Sequence, residues 1–135
     1  MKLLQLDDSN SKRLAVKMVL RSIGVSDCDW FTSIEEGVEA LEKAIREGDP
    51  YDAVISDMHY PIQKSGEADW KAGKYLIKLL QEKQIAVPVI ILSTSRLRIE
   101  NAWRTLWYDE RSDWETELRT ALQEIQREKA RRNRG

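Results

Sequence analysis

The stretch VISDMHYP, residues 54–61, decides the fold of this chain. An apolar run ends in the carboxylate of Asp57, and Pro61 closes the turn four residues later. An apolar, β-branched run without polar alternation is typical of a strand that is buried on both faces, as in a parallel sheet. We therefore predict a central strand from Ala53 to Ser56, with Asp57 at its carboxyl end.

Two further apolar runs end in polar side chains. Leu3 to Leu6 is followed by Asp7 and Asp8, and Val87 to Leu92 is followed by Ser93. The carboxyl ends of parallel strands meet at one edge of a sheet, where α/β folds bind their ligands, so these groups converge with the carboxylate of the central strand. Clustered carboxylates bind a divalent cation, and a carboxylate beside that cation can accept a phosphoryl group.

Helical spacing, caps and short β-branched runs predict the other elements. They are a helix from about Ser9 to Ile23, a strand Asp29–Phe31, a helix from Ser33 to Gly48, a loop Ile62–Asp69, a helix through Ala72 and Leu80, a strand Thr105–Tyr108 and a helix from Ser112. Five strands, each followed by a helical segment, predict an α/β fold with a parallel sheet covered on both faces.

Size and composition restrict the function classes. The 135 residues fit one domain, assigned to residues 1–128, with a basic C-terminal tail at 129–135. The 22 basic and 23 acidic residues nearly cancel, which gives no support to direct binding of nucleic acid or a membrane. The single cysteine suits a reducing compartment, and no apolar stretch approaches the ~20 residues that span a bilayer. We expect a cytoplasmic protein.

Over nearly its whole length the chain resembles a response-regulator receiver domain of two-component signalling. The resemblance rests on an ordered set: the acidic pair after the first strand, Asp57 followed by Pro61, Gly73 after a lengthened loop, and Pro88 to Ser93. It implies a doubly wound, flavodoxin-like (βα)5 fold with strand order 2-1-3-4-5. It also implies a phosphoprotein regulator, with at most slow self-phosphorylation and self-dephosphorylation, and no classical enzyme.

The resemblance assigns roles to the residues at the predicted sheet edge. It makes Asp57 the phosphoacceptor and places Mg²⁺ on Asp8 and Asp57, with the backbone carbonyl of His59 as a third ligand. Asp7 orients a metal-bound water or binds less directly, and Ser93 donates a hydrogen bond to a phosphoryl oxygen. Mg²⁺ suits such a site because it prefers oxygen ligands and keeps several waters.

The chain departs from the family pattern in two places. The family carries a lysine at the end of the fifth strand, whereas residues 106–111 read LWYDER. Arg111 is a candidate substitute, although a planar guanidinium is not equivalent to an ammonium, and Asp109 or Glu110 at that site would repel a phosphate. The stretch 94–104 is also short for a full fourth helix with its loops.

We predict a receiver in a phosphorelay, which takes a phosphoryl group from a histidine kinase or phosphotransfer protein and signals by contact with a downstream protein partner. The alternative is a phosphorylation-independent pseudo-receiver that acts as a protein-binding module. Trp103, Trp107 and Tyr108 are its candidate partner surface, or they pack the core. A small Mg²⁺-dependent phosphohydrolase is a third hypothesis, for which we find no second nucleophile or general acid. A homodimer and a longer chain with an output domain stay open.

Overall fold

A five-stranded parallel sheet forms the centre of the protein in the computed structural model, which describes residues 1–134. In chain order the elements are β1 (Leu3–Leu6), α1 (Asn10–Ser22), β2 (Cys28–Phe31), α2 (Ile34–Arg46), β3 (Ala53–Ser56), β4 (Tyr60–Pro61), β5 (Ala68–Asp69), α3 (Ala72–Glu82), β6 (Val89–Ser93), β7 (Arg104–Trp107) and α4 (Trp114–Arg134). The sheet has the order β2-β1-β3-β6-β7, and β4 pairs with β5 in a separate antiparallel ribbon. Numbered by sheet strands alone, this is 2-1-3-4-5, so the predicted flavodoxin-like fold is confirmed.

Two hydrophobic cores cover the two faces of the sheet. Side chains alternate along β1 and β3, so that Leu3 and Ile55 join one core while Leu4 and Val54 join the other. The first core is closed by α1 and α4, and the second by α2 and α3. Each fully buried leucine or isoleucine stabilises the fold by roughly 1.5–3 kcal/mol. The sheet is therefore held on both faces, and its carboxyl edge is a rigid platform.

The two first helices begin where the sequence predicts. The Ser9 side chain accepts a hydrogen bond from the backbone N–H of Lys12 and caps α1. Ser33 caps α2 in the same way by accepting from the N–H of Glu36, and its hydroxyl donates to the Glu36 carboxylate at 2.9 Å. Each cap satisfies a backbone donor that the helix itself leaves unpaired. Both caps fix the direction in which the helix leaves the sheet.

Two segments differ from the predicted pattern. The predicted loop 62–69 is part of a short hairpin formed by β4 and β5. Within the described residues, no helix lies between β6 and β7, and the segment 94–103 runs as turns and irregular chain. The fourth helical segment of the (βα)5 pattern is therefore missing, because ten residues are too few for a helix and both of its connections.

The C-terminal tail continues the last helix. The sequence placed a basic tail at 129–135, and α4 extends through it to Arg134, while Gly135 lies outside the described residues. Lys129 is paired with Asp52, since its Nζ lies 2.5 Å from the Asp52 Oδ1. Among residues 1–134, every helix is too short or too polar to cross a membrane.

Gly73 fixes where α3 starts beside Asp57. Its N–H donates to the Met58 carbonyl at 3.2 Å. A Cβ at position 73 would lie 2.6 Å from the backbone oxygen of Asp57 and 2.9 Å from the Met58 sulfur. Backbone atoms cannot yield as a flexible side chain does, so this close approach requires glycine. The start of α3 is thereby held next to the end of β3.

We predict that Gly73→Ala lowers the free energy of unfolding by about 1–3 kcal/mol, because the added methyl group overpacks the contact with Asp57. Urea denaturation followed by circular dichroism measures the effect. The matched control is Lys74→Ala, an exposed neighbour on the same helix, which should stay within about 0.5 kcal/mol of the wild type. Equal stability of the two variants would contradict the close packing.

Candidate functional site

Three carboxylates converge at the carboxyl edge of the sheet. β1 and β3 pair in parallel register with Leu6 opposite Ser56, so Asp7 and Asp57 leave adjacent strands at the same level. One carboxylate oxygen of each of Asp7, Asp8 and Asp57 lies within 4.8 Å of the others. Asp7 is buried, Asp57 is partly exposed and Asp8 is exposed. This oxygen-only donor set, open to solvent on one side, suits Mg²⁺.

Asp57 has one engaged and one free carboxylate oxygen. Its Oδ1 accepts a hydrogen bond from the N–H of Met58 at 2.7 Å and lies 3.0 Å from the Nζ of Lys12. In the described part of the chain, no hydrogen bond or ion pair falls on Oδ2. One oxygen is therefore oriented by the protein, while the other is available to a ligand.

Lys12 is the functional residue that the sequence analysis missed. Its Nζ lies 3.0 Å from the Asp57 Oδ1 and 3.4 Å from the Asp7 Oδ2, and it donates to the Leu92 carbonyl. The side chain is only 3% exposed. A lysine is almost never buried unless it is paired, and this one is paired with two carboxylates. The site thus contains a built-in cation.

The position of Lys12 follows from the start of α1. Ser9 caps the helix, and its own N–H donates to the Asp7 Oδ1 at 2.8 Å, which ties the helix start to the end of β1. Lys12 stands four residues before Val16 and therefore extends the buried stripe of α1 towards the site. A lysine on the apolar face of a helix, next to an acidic pair, was the available signal.

Burial raises the pKa of Asp7 to about 6. The charge of Asp57 raises it further, while the Lys12 ammonium and the hydrogen bond from Ser9 oppose the change. The ionised cluster is therefore costly without a second cation, which favours metal binding at neutral pH.

Ser93 and His59 both follow or end strands at the carboxyl edge of the sheet, but Ser93 is buried and His59 is exposed. Ser93 ends β6, two residues beyond Ile91, which pairs with Ser56 of β3. It is buried, and its Oγ accepts from the N–H of Ser95 at 3.0 Å, which leaves the hydroxyl proton free to donate elsewhere. The His59 imidazole stacks on Trp70 with 4.3 Å between ring centroids, at the base of the β4–β5 hairpin. The backbone carbonyl of His59 as a metal ligand stays a prediction.

Arg111, the residue that sequence suggested as a lysine substitute, pairs with a neighbour. Its Nε lies 2.9 Å from the Asp109 Oδ1, and its guanidinium carbon lies 4.9 Å from the ring centre of Trp107. Hydrogen bonds from Arg111 hold the pKa of Asp109 below its usual value. Lys12 is the cation that contacts Asp57, whereas Arg111 is exposed and forms an ion pair with Asp109.

The candidate aromatic surface is divided between core and exterior. Trp103 and Tyr108 pack against the core under α1 and α4, and the Tyr108 ring lies 4.9 Å from that of Trp114. The guanidinium carbons of Arg96 and Arg111 lie 5.2 and 4.9 Å from the ring centre of Trp107. Its indole N–H donates to the Thr94 carbonyl at 3.2 Å. A partner surface at these residues stays a prediction.

Comparison with solved structures identifies the fold. A response-regulator receiver domain protein from Clostridium thermocellum superposes with a TM-score of 0.68 and 20% identity, over 96% of this chain and 97% of that chain. RcsB from Salmonella enterica serovar Typhimurium, bound to promoter rprA in the presence of the phosphomimetic BeF₃⁻, gives 0.67 and 20%, over 93% and 98%. The receiver domain of the histidine kinase CKI1 from Arabidopsis thaliana, complexed with Mg²⁺ and BeF₃⁻, gives 0.59 and 17%, over 93% and 89%.

No protein-family model and no curated protein match the chain by sequence. The structural likeness, at identities of 20% or less, establishes that the protein has the fold of response-regulator receiver domains. The resemblance read from the motifs is thus confirmed as a resemblance in fold.

We predict a pH-dependent gain in stability for Asp7→Asn. The pKa of Asp7 in the folded protein is about 6, above the ordinary value of 3.8, so stability is lost as the pH rises from about 4 through 6, where the unfolded chain ionises Asp7 before the folded protein does. In a chelating buffer, the stability of Asp7→Asn relative to the wild type should increase by roughly 3 kcal/mol between pH 4 and pH 7. Urea denaturation at each pH measures it.

The control for this experiment is Asp27→Asn, which removes an exposed loop carboxylate outside the cluster. If the difference in stability between Asp7→Asn and the wild type did not change between pH 4 and pH 7, the burial of an ionisable Asp7 would be disproved.

Proposed function

We propose that the protein is a phosphoacceptor receiver of a two-component phosphorelay, in which Asp57 takes a phosphoryl group from a phosphohistidine donor. The observation that carries this proposal is the convergence of Asp7, Asp8 and Asp57 at the carboxyl edge of a receiver-type sheet. The donor is a histidine kinase or a phosphotransfer protein, and the signal passes by contact with a downstream protein partner. Direct contact with nucleic acid or a homodimer is not part of the proposal.

Asp57 acts as the nucleophile. Its Oδ1 is oriented by the Met58 N–H and by Lys12, so Oδ2 is the oxygen that attacks phosphorus. The new bond joins Oδ2 to phosphorus, while the bond from phosphorus to the donor imidazole nitrogen breaks and its electron pair stays with the imidazole. Ser93 has a free hydroxyl proton and donates it in a hydrogen bond to a phosphoryl oxygen.

The donor set fits Mg²⁺. Asp8 and Asp57 would hold the ion together with the His59 backbone carbonyl, and Asp7 would orient a bound water. When bound, Mg²⁺ neutralises charge on the transferring phosphoryl group. A solved receiver domain of the same fold is complexed with Mg²⁺ and BeF₃⁻, which supports this assignment.

The pseudo-receiver alternative was motivated by the lysine missing from the end of the fifth strand. Lys12 lies in contact with Asp57 and supplies an ammonium to the same cluster, so the missing lysine does not favour the pseudo-receiver. We therefore propose a regulator that undergoes at most slow self-phosphorylation and self-dephosphorylation. A cytoplasmic location agrees with a single, unpaired cysteine.

We predict that the wild type gains about 80 Da, the mass of one phosphoryl group, on incubation with acetyl phosphate and Mg²⁺. Intact-mass spectrometry under acidic conditions measures the gain, since an acyl phosphate is preserved at low pH. Asp57→Asn should show no gain, because an amide oxygen is not a competent nucleophile. Asp27→Asn, with its carboxylate outside the cluster, should be phosphorylated like the wild type.

An unmodified wild type that still binds Mg²⁺ would reject the phosphoacceptor function. A gain of mass that persists in Asp57→Asn would show that another residue is modified.

A further inference from the structure

We propose that Lys12 is the cation that holds the phosphoryl group on Asp57, and that helix α1 thereby supplies the ammonium that the family takes from the end of its fifth strand. This inference rests on the proposed function and adds a residue that no comparison assigns. Lys12 touches the acceptor carboxylate directly, so its contact is with a reacting group.

Three oxygen atoms surround the Lys12 ammonium. An ammonium has three N–H donors, and the Lys12 Nζ has three oxygen neighbours: the Asp57 Oδ1, the Asp7 Oδ2 and the Leu92 carbonyl. Asp57 follows β3, Asp7 follows β1, and Leu92 is the penultimate residue of β6. The ammonium is therefore located at the centre of the carboxyl edge, and the protein has replaced its hydration shell almost entirely.

Tyr108 fills the place from which a fifth-strand lysine would reach the site. It is the first residue after β7, and its N–H donates to the Ser93 carbonyl at 2.7 Å. The centre of its ring lies 5.3 Å from the Lys12 Nζ, within reach of a cation–π interaction. The Tyr108 side chain thus projects towards the Lys12 ammonium. In this chain, an aromatic ring stands where the family has its lysine, and the ammonium comes from α1.

The charges of the cluster agree with this assignment. Three carboxylates carry a charge of −3 when ionised, and Lys12 reduces it to −2. One divalent cation then neutralises the unphosphorylated site. The contact with the Leu92 carbonyl anchors the ammonium beside Asp57.

During transfer Lys12 keeps its protons. The Asp57 Oδ2 forms the bond to phosphorus, and the electron pair of the breaking bond stays with the leaving group, which is acetate when acetyl phosphate is the donor. One Lys12 N–H turns from the Asp57 Oδ1 to a phosphoryl oxygen and stabilises its negative charge.

The test compares Lys12→Met with Arg111→Ala in the full-length protein. Lys12→Met should be phosphorylated by acetyl phosphate about 100-fold more slowly than the wild type, as expected for the loss of one preorganised donor to the developing charge. Its affinity for Mg²⁺, measured by calorimetry, should be equal or higher, because an opposing ammonium has left the cluster. Arg111→Ala should behave like the wild type in both measurements, since Arg111 pairs with Asp109.

A second variant guards against a loss of folding. Lys12→Met with Tyr108→Lys returns an ammonium to the site from the end of β7, and should recover at least part of the phosphorylation rate. If Lys12→Met alone does not fold, the phosphorylation rate of this double variant is compared with that of the wild type instead.

Three outcomes overturn the inference. In the first, the wild type gains about 80 Da and Lys12→Met is phosphorylated equally fast. This result would show that Lys12 does not hold the phosphoryl group, while the proposed function would stand. In the second, Lys12→Met is phosphorylated slowly and also binds Mg²⁺ more weakly than the wild type, which would show that Lys12 only maintains the structure of the cluster. A wild type that gains no mass overturns this inference together with the proposed function.

Discussion

The burial of the Lys12 ammonium between Asp7 and Asp57 is the interaction on which the candidate site depends. Parallel pairing of β1 with β3 forces the two carboxylates together at the end of adjacent strands, and burial raises the pKa of Asp7. Removing a charge from water costs several kcal/mol even in real proteins, and a buried ion is tolerated only with close partners. Lys12 is that partner, which leaves the cluster with a residual charge that suits a divalent cation.

The rest of the fold brings these groups to one place. Two hydrophobic cores fix the sheet, the Ser9 cap fixes the start of α1, and the tight contact of Gly73 with the Asp57 backbone fixes the start of α3. The segment between β6 and β7 has no helix in the described residues, and the end of β7 carries Tyr108 in place of a lysine. In the described residues, the ammonium that contacts the acidic cluster therefore comes from α1.

The strands and the convergence of Asp7, Asp8 and Asp57 could be predicted from the sequence, since the apolar runs that end in these carboxylates carry that information locally. Lys12 was missed because its role depends on a contact with a residue distant in the chain, and an exposed lysine is the ordinary expectation for that residue type. Arg111 matches the expected lysine only in its position near the fifth strand, because the Asp109 carboxylate two residues away pairs with it. The two-residue strands of the β4–β5 hairpin were not predicted, because elements so short have no periodicity.

A crystal structure of the protein with Mg²⁺ and BeF₃⁻, the phosphomimetic present in a solved structure of the same fold, tests the central claim most directly. We predict beryllium on the Asp57 Oδ2, the metal on Asp8 and Asp57, and the Lys12 Nζ within hydrogen-bond distance of a fluoride. A complex in which Lys12 has left the cluster, with Arg111 or solvent against the fluorides, would contradict the account.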